Sequence, residues 1–249
     1  MSAGVCQEIP RSFVIPVLDF SPHSPYNILT LLDDLQDIPG EVICIFNGRE
    51  VFSRLSEHPR IDKFCFNNLN AGVTRSWNLG INLAEGRAVF ILNADLHISL
   101  KTVEEMERYL FGLKNAVIVG PQGSFVDFRR LKVARYFAKG KFDRPVQTHD
   151  VSGFLFCIHL ERFLGSSLMF DPQFSPCEYE EWDIGLQILK AGLACYAVPV
   201  DGFDHHWGVS SAGGEKVINY FGRDMVLKDI IQENREKLRQ KWAGVIGNL

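Results

Sequence analysis

The residues best suited to chemistry follow a short apolar segment, Ala88–Leu92. Asn93-Ala94-Asp95 comes directly after it. An unbroken apolar run of this length is typical of a strand buried on both faces, as in a parallel or mixed sheet covered by helices. Ligands of open α/β sheets bind at the carboxyl ends of such strands, so the Asp95 carboxylate is a candidate for holding a metal ion or a metal-bound phosphate. An ordinary Asn/Asp turn after a strand is the alternative interpretation.

A cluster of carboxylates opens a predicted helix in the second half of the chain. It consists of Glu178, Glu180, Glu181 and Asp183. Acidic residues in a first helical turn are favoured by the helix dipole, which gives one or two of them a purely structural reason. Like charges this close also repel one another, which raises the pKa of a carboxyl group and lets it accept a proton near neutral pH.

A glycine-containing turn precedes another predicted helix. Asn70-Ala71-Gly72 leads into a helix expected from about Thr74 to Ala84. Gly72 permits a close backbone approach, and the free amides of a helix start attract anions. Asn78 and Gly80 lie in the middle of this helix although both are poor helix formers. The turn is therefore a candidate anion contact.

These motifs need a scaffold of alternating strands and helices, and the hydrophobic pattern predicts one. Strands are predicted at Ser12–Leu18, Glu41–Phe46, Ile61–Phe66, Ala88–Leu92, Ala116–Gly120, Gly153–Ile158 and Leu193–Val200. Helices are predicted at Tyr26–Leu35, Val51–Glu57, Thr74–Ala84, Lys101–Leu113, Glu178–Ala191 and Val217–Lys241, the last packing through Val217, Phe221, Val226 and Ile230. This rhythm indicates an α/β fold with a doubly wound, mostly parallel sheet flanked by helices. The basic, aromatic segment Phe128–Asp150 is predicted to be a loop or hairpin, with a solvated basic surface as the alternative.

Composition narrows the function classes. The 249 residues are 46% hydrophobic and carry a formal net charge of −4, without a long basic run, which argues against nonspecific nucleic-acid binding. No apolar segment is long enough to span a bilayer, and the start lacks the pattern of a secretory signal. The six cysteines show no C-x-x-C spacing, so we expect reduced thiols in a cytosolic protein rather than disulfides or a zinc site.

Taken in order along the chain, the motifs form a series: the Pro16-containing first strand, Asn70-x-Gly72, Asn78-x-Gly80, Asn93-x-Asp95, Glu180-Glu181-x-Asp183 and a His206-x-Gly208-x-Ser210 loop. This ordered series resembles family-2 glycosyltransferases of the GT-A fold over about Phe13–Ser211. The resemblance implies a single GT-A-like, Rossmann-like domain over residues 1–249. Its nucleotide-binding half would cover about 11–100, its acceptor-side half about 101–215, and a C-terminal helix about 216–241.

The resemblance also implies roles for individual residues on the nucleotide side. Pro16, Leu18 and Asp19 are expected near the base, and Asn47 at the end of the second strand. Asn70, Gly72 and Arg75 are expected to line the nucleotide and diphosphate, a simply solvated Arg75 being the alternative. Phe46 stands where relatives usually have an Asp that contacts the base or ribose, so the nucleotide stays open.

On the catalytic side, Asn93-Ala94-Asp95 would be the D-x-D-like element, with Asp95 as the metal carboxylate. His206 would be a further metal or diphosphate contact, a hydrogen-bonded loop histidine being the alternative, and His205 is expected to face away. Either Glu181 or Asp183 would be the catalytic base. A hard divalent cation, Mn²⁺ or Mg²⁺, suits a departing nucleoside diphosphate, and a histidine ligand favours Mn²⁺.

The implied reaction is an inverting, metal-assisted transfer of a hexosyl or deoxyhexosyl group from a UDP-, GDP- or dTDP-linked sugar. The acceptor would be a hydroxyl of a glycan or lipid-linked molecule in surface polysaccharide or glycan synthesis. The expected location is the cytoplasm, and a peripheral contact with the cytoplasmic face of a membrane through the terminal helix or Phe128–Arg144 is compatible with it. A noncatalytic sugar-nucleotide or glycan-binding module of the same fold is the alternative. A nucleotidyltransferase would need a basic Gly-rich loop after the first strand, which SPHSPYN is not.

Overall fold

The computed structural model describes residues 11–205 and 215–246. Its strands are β1 (Arg11–Val17), β2 (Glu41–Phe46), β3 (Lys63–Phe66), β4 (Ala88–Leu92), β5 (Leu96–Ile98), β6 (Ala116–Gly120), β7 (Gly123–Asp127), β8 (Lys132–Phe137), β9 (Val146–Thr148), β10 (Asp150–Val151), β11 (Leu155–His159), β12 (Ala194–Ala197), β13 (Phe203–His205), β14 (Val217–Tyr220) and β15 (Arg223–Val226). Its helices are α1 (Ile28–Asp34), α2 (Arg49–Leu55), α3 (Val73–Leu83), α4 (Leu100–Gly112), α5 (Leu160–Gly165), α6 (Glu180–Lys190), α7 (Leu227–Lys241) and α8 (Ala243–Ile246).

An eight-stranded mixed sheet in the order β3-β2-β1-β4-β11-β6-β12-β9 forms the centre of the fold. β3, β2, β1 and β4 run parallel, whereas β11 is antiparallel to both of its neighbours. The unbroken apolar runs of β2, β4 and β6 are buried throughout, as helices on both faces require. The predicted fold class, a mixed α/β sheet flanked by helices, is confirmed.

Two hydrophobic layers pack on opposite faces of this sheet. Buried side chains of α1, α2 and α4 form one layer, and those of α3, α5 and α6 form the other. Gly80 in α3 lies so close to β1 that a Cβ atom there would be 2.1 Å from a methyl carbon of Val14. Asn78 exchanges two hydrogen bonds with the backbone of Phe170. Packing thus explains both of the poor helix formers inside α3.

The predicted start of the terminal helix at Val217 is wrong. β14 and β15 form a hairpin there, and α7 begins only at Leu227. Phe221 and Gly222 make its two-residue turn with φ angles of 48° and 77°, the paired positive values of a type I′ turn. Val217 and Phe221 are about half exposed, at 55% and 48%, so they do not anchor a helix. Ile230 is buried, as predicted.

Two further segments are better defined than the sequence indicates. Phe128–Asp150 includes the second strand of the β7–β8 hairpin, and the polar segment after β12 contributes β13, which pairs with β5. Among the described residues, no helix has the length and apolar character needed to cross a bilayer. The five described cysteines are all free thiols.

Candidate active site

The parallel strands bring most of the predicted nucleotide-side residues to one edge of the sheet. Pro16 lies in β1, Leu18 and Asp19 follow its carboxyl end with exposed side chains, and Asn47 follows β2. Asn93, Ala94 and Asp95 follow β4 at the same edge. Ala94 packs its methyl group against the core, whereas Asp95 is partly exposed. The sheet therefore places the D-x-D-like element beside the ends of β1 and β2.

Asp95 lies beside a histidine, and that histidine is His205. Its Nε2 atom is 3.2 Å from Asp95 Oδ1 and 3.4 Å from Asn93 Nδ2. The imidazole stacks on the Phe154 ring with centroids 4.5 Å apart, so only 8% of the His205 side chain is exposed, against 27% for Asp95. The expectation that His205 faces away is wrong, because antiparallel pairing of β13 with β5 places it opposite Leu96. His206 lies outside the described residues.

The opposite face of the β5–β13 pair carries a separate polar cluster. His97 Nδ1 is 2.7 Å from Asp34 Oδ2, and the Tyr26 hydroxyl donates to Asp204 at 2.6 Å. His97 and Asp204 are directly paired across β5 and β13, so they share the face that His205 does not. His97 therefore braces α1 against β5 rather than joining Asp95.

Glu181 lies at the amino end of α6, next to the segment that follows β10. The Gly153 N–H donates to Glu181 Oε1 at 3.1 Å. Burial raises the pKa of Glu181 to about 8, and the nearby Glu178 and Asp150 carboxylates add to the increase. Burial also raises the pKa of Glu180 well above its usual range, with Glu181 contributing as a like charge. Glu181 is a half-buried residue whose carboxyl group releases its proton at about pH 8.

Strained backbone and a long-range brace hold α6 in this position. Glu178 and Tyr179 both have positive φ angles, of 78° and 72°, a left-handed conformation that is costly for residues other than glycine. The Asn234 amide on α7 donates to the carbonyl groups of Phe174, Cys177 and Glu178 at 2.8 to 3.2 Å. Strained backbone of this kind persists only where surrounding contacts hold it, and it is common at functional sites.

Two consecutive residues connect Glu181 to the Asp95–His205 pair. Gly153 binds Glu181, and the next residue, Phe154, stacks on His205. The Phe154 carbonyl also accepts a hydrogen bond from the Asn93 N–H at 2.9 Å. The carboxylate of α6 and the pair at the end of β4 therefore lie on either side of one short segment. Sequence reasoning missed this segment, since Gly153-Phe154 carries no chemical signal of its own.

Asp183, the alternative base, is occupied by structural contacts. Its side chain is fully buried and binds Lys241 Nζ at 2.8 Å. Trp242 Nε1 donates to one of its oxygens at 2.7 Å, and Gln187 Nε2 donates to the other at 2.7 Å. These bonds fix α7 to α6 and leave the carboxylate no room for an acceptor hydroxyl.

Asn47 is likewise used within the protein. Its amide donates to Ser76 Oγ and to the Ile45 carbonyl, and its oxygen accepts from Asn67 and from the Ala71 N–H. Two donors and two acceptor positions are all that an amide offers. Asn47 therefore supports the turn before α3, and we propose this role for it in place of direct nucleotide contact.

The turn before α3 is also covered by protein. The Asn70 side chain bonds the Gly72 N–H and the Asn219 carbonyl, and the Val73 N–H donates to Pro176 at 2.8 Å. The expectation that the first amides of this helix stay free for an anion is therefore wrong for Val73. Gly72 lies directly against Pro176, since a Cβ atom there would be 2.9 Å from its Cα.

Arg75 turns toward the β14–β15 hairpin and the segment before α6. It donates to the Ser175 hydroxyl at 2.8 Å and to the Tyr220 hydroxyl, and its guanidinium lies over the Phe221 ring at 5.7 Å. The alternative of a merely solvated Arg75 does not hold, because the side chain is partly buried and bonded. A role toward a diphosphate stays a prediction.

The residues at the end of β4 suit a divalent cation. One carboxylate oxygen and one imidazole nitrogen lie within ligand reach of each other, and this donor set is compatible with Mn²⁺. Over residues 11–205 and 215–246, no group of three or more His, Cys, Asp or Glu side chains forms a complete protein cage. A cation bound here would complete its coordination with phosphate oxygens and water, as Mg²⁺ and Mn²⁺ commonly do.

Comparisons with known proteins identify solved structures that share this fold. No protein-family model matches the sequence, and no curated relative does either. Structurally similar proteins include GalNAc-T7 with UDP, GalNAc and Mn²⁺, with a TM-score of 0.72 and 12% identity over 97% of this chain and 49% of that one. S. aureus TarS has a TM-score of 0.58 and 12% identity over 78% of this chain and 36% of TarS. TarS 1-349 in complex with UDP-GlcNAc has a TM-score of 0.57 and 12% identity, with coverages of 82% and 61%. The chain thus spans about half the length of GalNAc-T7 and shares the fold of these proteins.

Proposed function

We propose that this protein is a metal-assisted glycosyltransferase that uses a nucleotide-diphospho-sugar. The observation that carries the proposal is the position of Glu181 and the Asp95–His205 pair on either side of Gly153-Phe154. Transfer of a sugar needs a group that takes a proton from the acceptor and a group that tolerates charge on the leaving diphosphate. Glu181 would supply the proton acceptor and the Asp95–His205 pair the charge stabilisation, both at one edge of the sheet.

Asp95 and His205 would hold the divalent cation, Mn²⁺ or Mg²⁺. When bound, the cation neutralises the negative charge that grows on the departing nucleoside diphosphate. Asn93 Nδ2 lies 3.4 Å from His205 Nε2, and a cation bound to Nε2 would take the place of this contact. The stack on Phe154 restricts the His205 ring from one face.

Glu181 would be the catalytic base. A pKa raised to about 8 makes its carboxylate a stronger proton acceptor than an ordinary glutamate, while a useful fraction stays ionised at neutral pH. The Gly153 N–H binds one oxygen, Oε1, and the acceptor hydroxyl would approach the other. Attack of that hydroxyl opposite the leaving group would invert the anomeric centre. Asp183 is not a base in this proposal, because four bonded contacts to Lys241, Trp242 and Gln187 surround it.

The similarity to proteins crystallised with UDP or UDP-GlcNAc supports a UDP-sugar as the first donor to test, ahead of GDP- and dTDP-sugars. We propose residues 11–100 as the nucleotide-binding half, with Pro16, Leu18 and Asp19 toward the base and Asn70, Gly72 and Arg75 toward the diphosphate. Hexosyl or deoxyhexosyl transfer to a glycan or lipid-linked acceptor, at the cytoplasmic side, is the corresponding biological proposal.

Release of UDP from UDP-GlcNAc and UDP-GalNAc, with Mn²⁺ and then with excess EDTA, tests the proposal. We expect slow metal-dependent hydrolysis without acceptor and faster release with one. Proton NMR of the first product then reports inversion or retention. Metal-dependent UDP binding with no UDP release from any donor would instead support the noncatalytic sugar-nucleotide-binding module. Absence of both binding and release would refute the transferase proposal.

A further inference from the structure

A cationic hairpin surface, residues 129–144, stands out from an otherwise acidic protein. Its cations are Arg129, Arg130, Lys132, Arg135, Lys139, Lys141 and Arg144, and its single acid is Asp143. Seven of the 26 Lys and Arg residues and one of the 30 acids thus fall in this segment, which carries +6 while the rest of the chain carries −10. A polyanion would be repelled by most of the molecule and attracted to this surface.

The surface is open to solvent along its length. β8 is the edge strand of the three-stranded sheet β10-β7-β8, and its first five residues, Lys132 to Tyr136, are all exposed. A strand of six residues extends about 20 Å, which is several repeat units of a polymer. The cationic hairpin surface is therefore an extended track rather than a point site.

One part of this surface lies next to the proposed base. The Tyr136 hydroxyl donates to Gln122 Oε1 and lies 2.9 Å from Ser152 Oγ. Ser152 immediately precedes Gly153, whose N–H binds Glu181. Tyr136 itself is 45% exposed, so β8 presents a hydroxyl beside the position where an acceptor must enter.

The other part reaches the metal side. Lys139 Nζ donates to the Phe203 carbonyl at 2.6 Å and lies 4.4 Å from the centre of the Phe203 ring. Phe203 begins β13, the strand that ends in His205. The cationic hairpin surface therefore runs from the neighbourhood of Glu181 to that of Asp95, along the border of the site.

Protection of an edge strand against aggregation explains one or two lysines on β8. It does not require charges of one sign. Elsewhere the protein mixes signs, as on α7, where Lys237 pairs with Glu233 at 2.7 Å and Arg239 with Glu236 at 3.0 Å. A single-sign track that borders a transfer site is better explained by a ligand of the opposite charge.

We propose that the acceptor is an anionic glycan, a polymer with repeating carboxylate or phosphate groups, and that the cationic hairpin surface binds it. The inference rests on the proposed glycosyltransferase function. The polymer would lie along β8, with its anionic groups on the exposed cations and one hydroxyl directed past Tyr136 toward Glu181. Specificity for a charged acceptor would then come from β8 and the turn after it, and donor specificity from the β1–β4 edge.

The test compares two variants of equal charge by affinity electrophoresis in gels that contain polygalacturonate or neutral dextran. Lys132→Gln, Arg135→Gln and Lys141→Gln together remove three exposed cations from the surface. Lys101→Gln, Arg108→Gln and Lys114→Gln remove three exposed cations from α4 and the turn after it, outside the cationic hairpin surface. We expect polygalacturonate to retard the wild type and the α4 variant alike. Retardation of the hairpin variant should correspond to an affinity on the order of tenfold lower, since each exposed charge pair contributes modestly.

Dextran should retard none of the three proteins, and high salt should abolish the difference, because it screens exposed charges. Equal retardation of the two variants would overturn the proposal. Binding to vesicles of phosphatidylcholine with phosphatidylglycerol, but not to polygalacturonate, would overturn it in favour of a lipid surface. Thermal shift with UDP and Mn²⁺ is measured in parallel. We expect an unchanged UDP shift in the hairpin variant. Absence of both this shift and UDP release in the wild type would refute the transferase itself.

Discussion

Replacement of Glu181 by glutamine tests its role as a base while preserving the contacts it makes in the fold. Glutamine keeps the shape of the side chain and an oxygen that accepts the Gly153 N–H bond. It cannot take a proton from an acceptor hydroxyl. Loss of a general base typically lowers the rate by about 10²- to 10⁴-fold. We therefore expect kcat of E181Q to fall at least about a hundredfold, with little change in metal-dependent UDP binding.

The same substitution should stabilise the protein at alkaline pH. Burial raises the pKa of Glu181 from 4.5 to about 8, so the folded state holds this proton more tightly than the unfolded chain does. Below the pKa of Glu181 in the unfolded chain, the carboxyl group is protonated in both states, so it does not make the free energy of unfolding depend on pH. As pH rises toward about 8 the unfolded chain ionises first, so the wild type loses stability; above about 8 the loss is constant.

The size of this loss follows from the pKa difference. A fully buried group with these two pKa values would cost about 5 kcal/mol when ionised. Because Glu181 is partly exposed, we take about 2 kcal/mol as the screened value. For a domain of this size that amount corresponds to about 4–8 °C in Tm. E181Q should therefore melt about 4–8 °C above the wild type at pH 9 and at nearly the same temperature at pH 4.5.

Scanning fluorimetry in EDTA across this pH range, together with UDP release at fixed donor, measures both effects. Asp183→Asn is the matched control, because Asp183 lies two residues away and pairs with Lys241. Removing one partner of a buried ion pair costs about 3–5 kcal/mol, so D183N should lose stability at neutral pH yet keep kcat per folded molecule. The reasoning is refuted if E181Q retains wild-type kcat, or if D183N is inactive while it remains folded. A Tm difference between E181Q and the wild type that stays the same at every pH would refute the raised pKa of Glu181.

Further substitutions test the other contacts. Asp95→Asn and His205→Ala should each weaken Mn²⁺-dependent UDP binding by about 10- to 100-fold. Metal titrations of the UDP thermal shift measure this loss, and variants that titrate like the wild type would exclude this metal site. Gly153→Ala places a carbon 2.5 Å from Glu181 Oε1, so kcat should fall about tenfold or more with Tm lowered by only a few degrees. Gly222→Ala should lower the free energy of unfolding by about 1 kcal/mol through its positive φ, without effect on kcat.

The parts of the fold that the sequence predicts are those with an unambiguous hydrophobic pattern. The predicted strands Glu41–Phe46, Ala88–Leu92 and Ala116–Gly120 coincide with β2, β4 and β6. Their runs are continuous, since helices cover both faces of the sheet. Parallel order then brings the residues after β1, β2 and β4 to one edge, so this part of the site can be expected before any side-chain contact is known.

The parts that the sequence does not predict depend on distant partners. Asp183 and Glu181 look equivalent as acids in one helical turn, and only Lys241 and Trp242, near the far end of the chain, distinguish them. The β14–β15 hairpin is hidden for a different reason. Its turn uses Phe221 with a positive φ, a conformation that is rare for an aromatic residue and carries no sequence signal.

The histidine that lies beside Asp95 shows how strand register decides which side chains meet. Successive residues of β13 point to opposite faces, so Asp204 joins Tyr26 and His97 while His205 joins Asp95 and Phe154. A slip of one residue between β13 and β5 would exchange these sets and place a carboxylate beside Asp95 in place of an imidazole. That arrangement would repel a nucleoside diphosphate more strongly. The Tyr26–Asp204 bond, at 2.6 Å, therefore serves the site from the opposite face, because it holds the register that keeps His205 on Asp95.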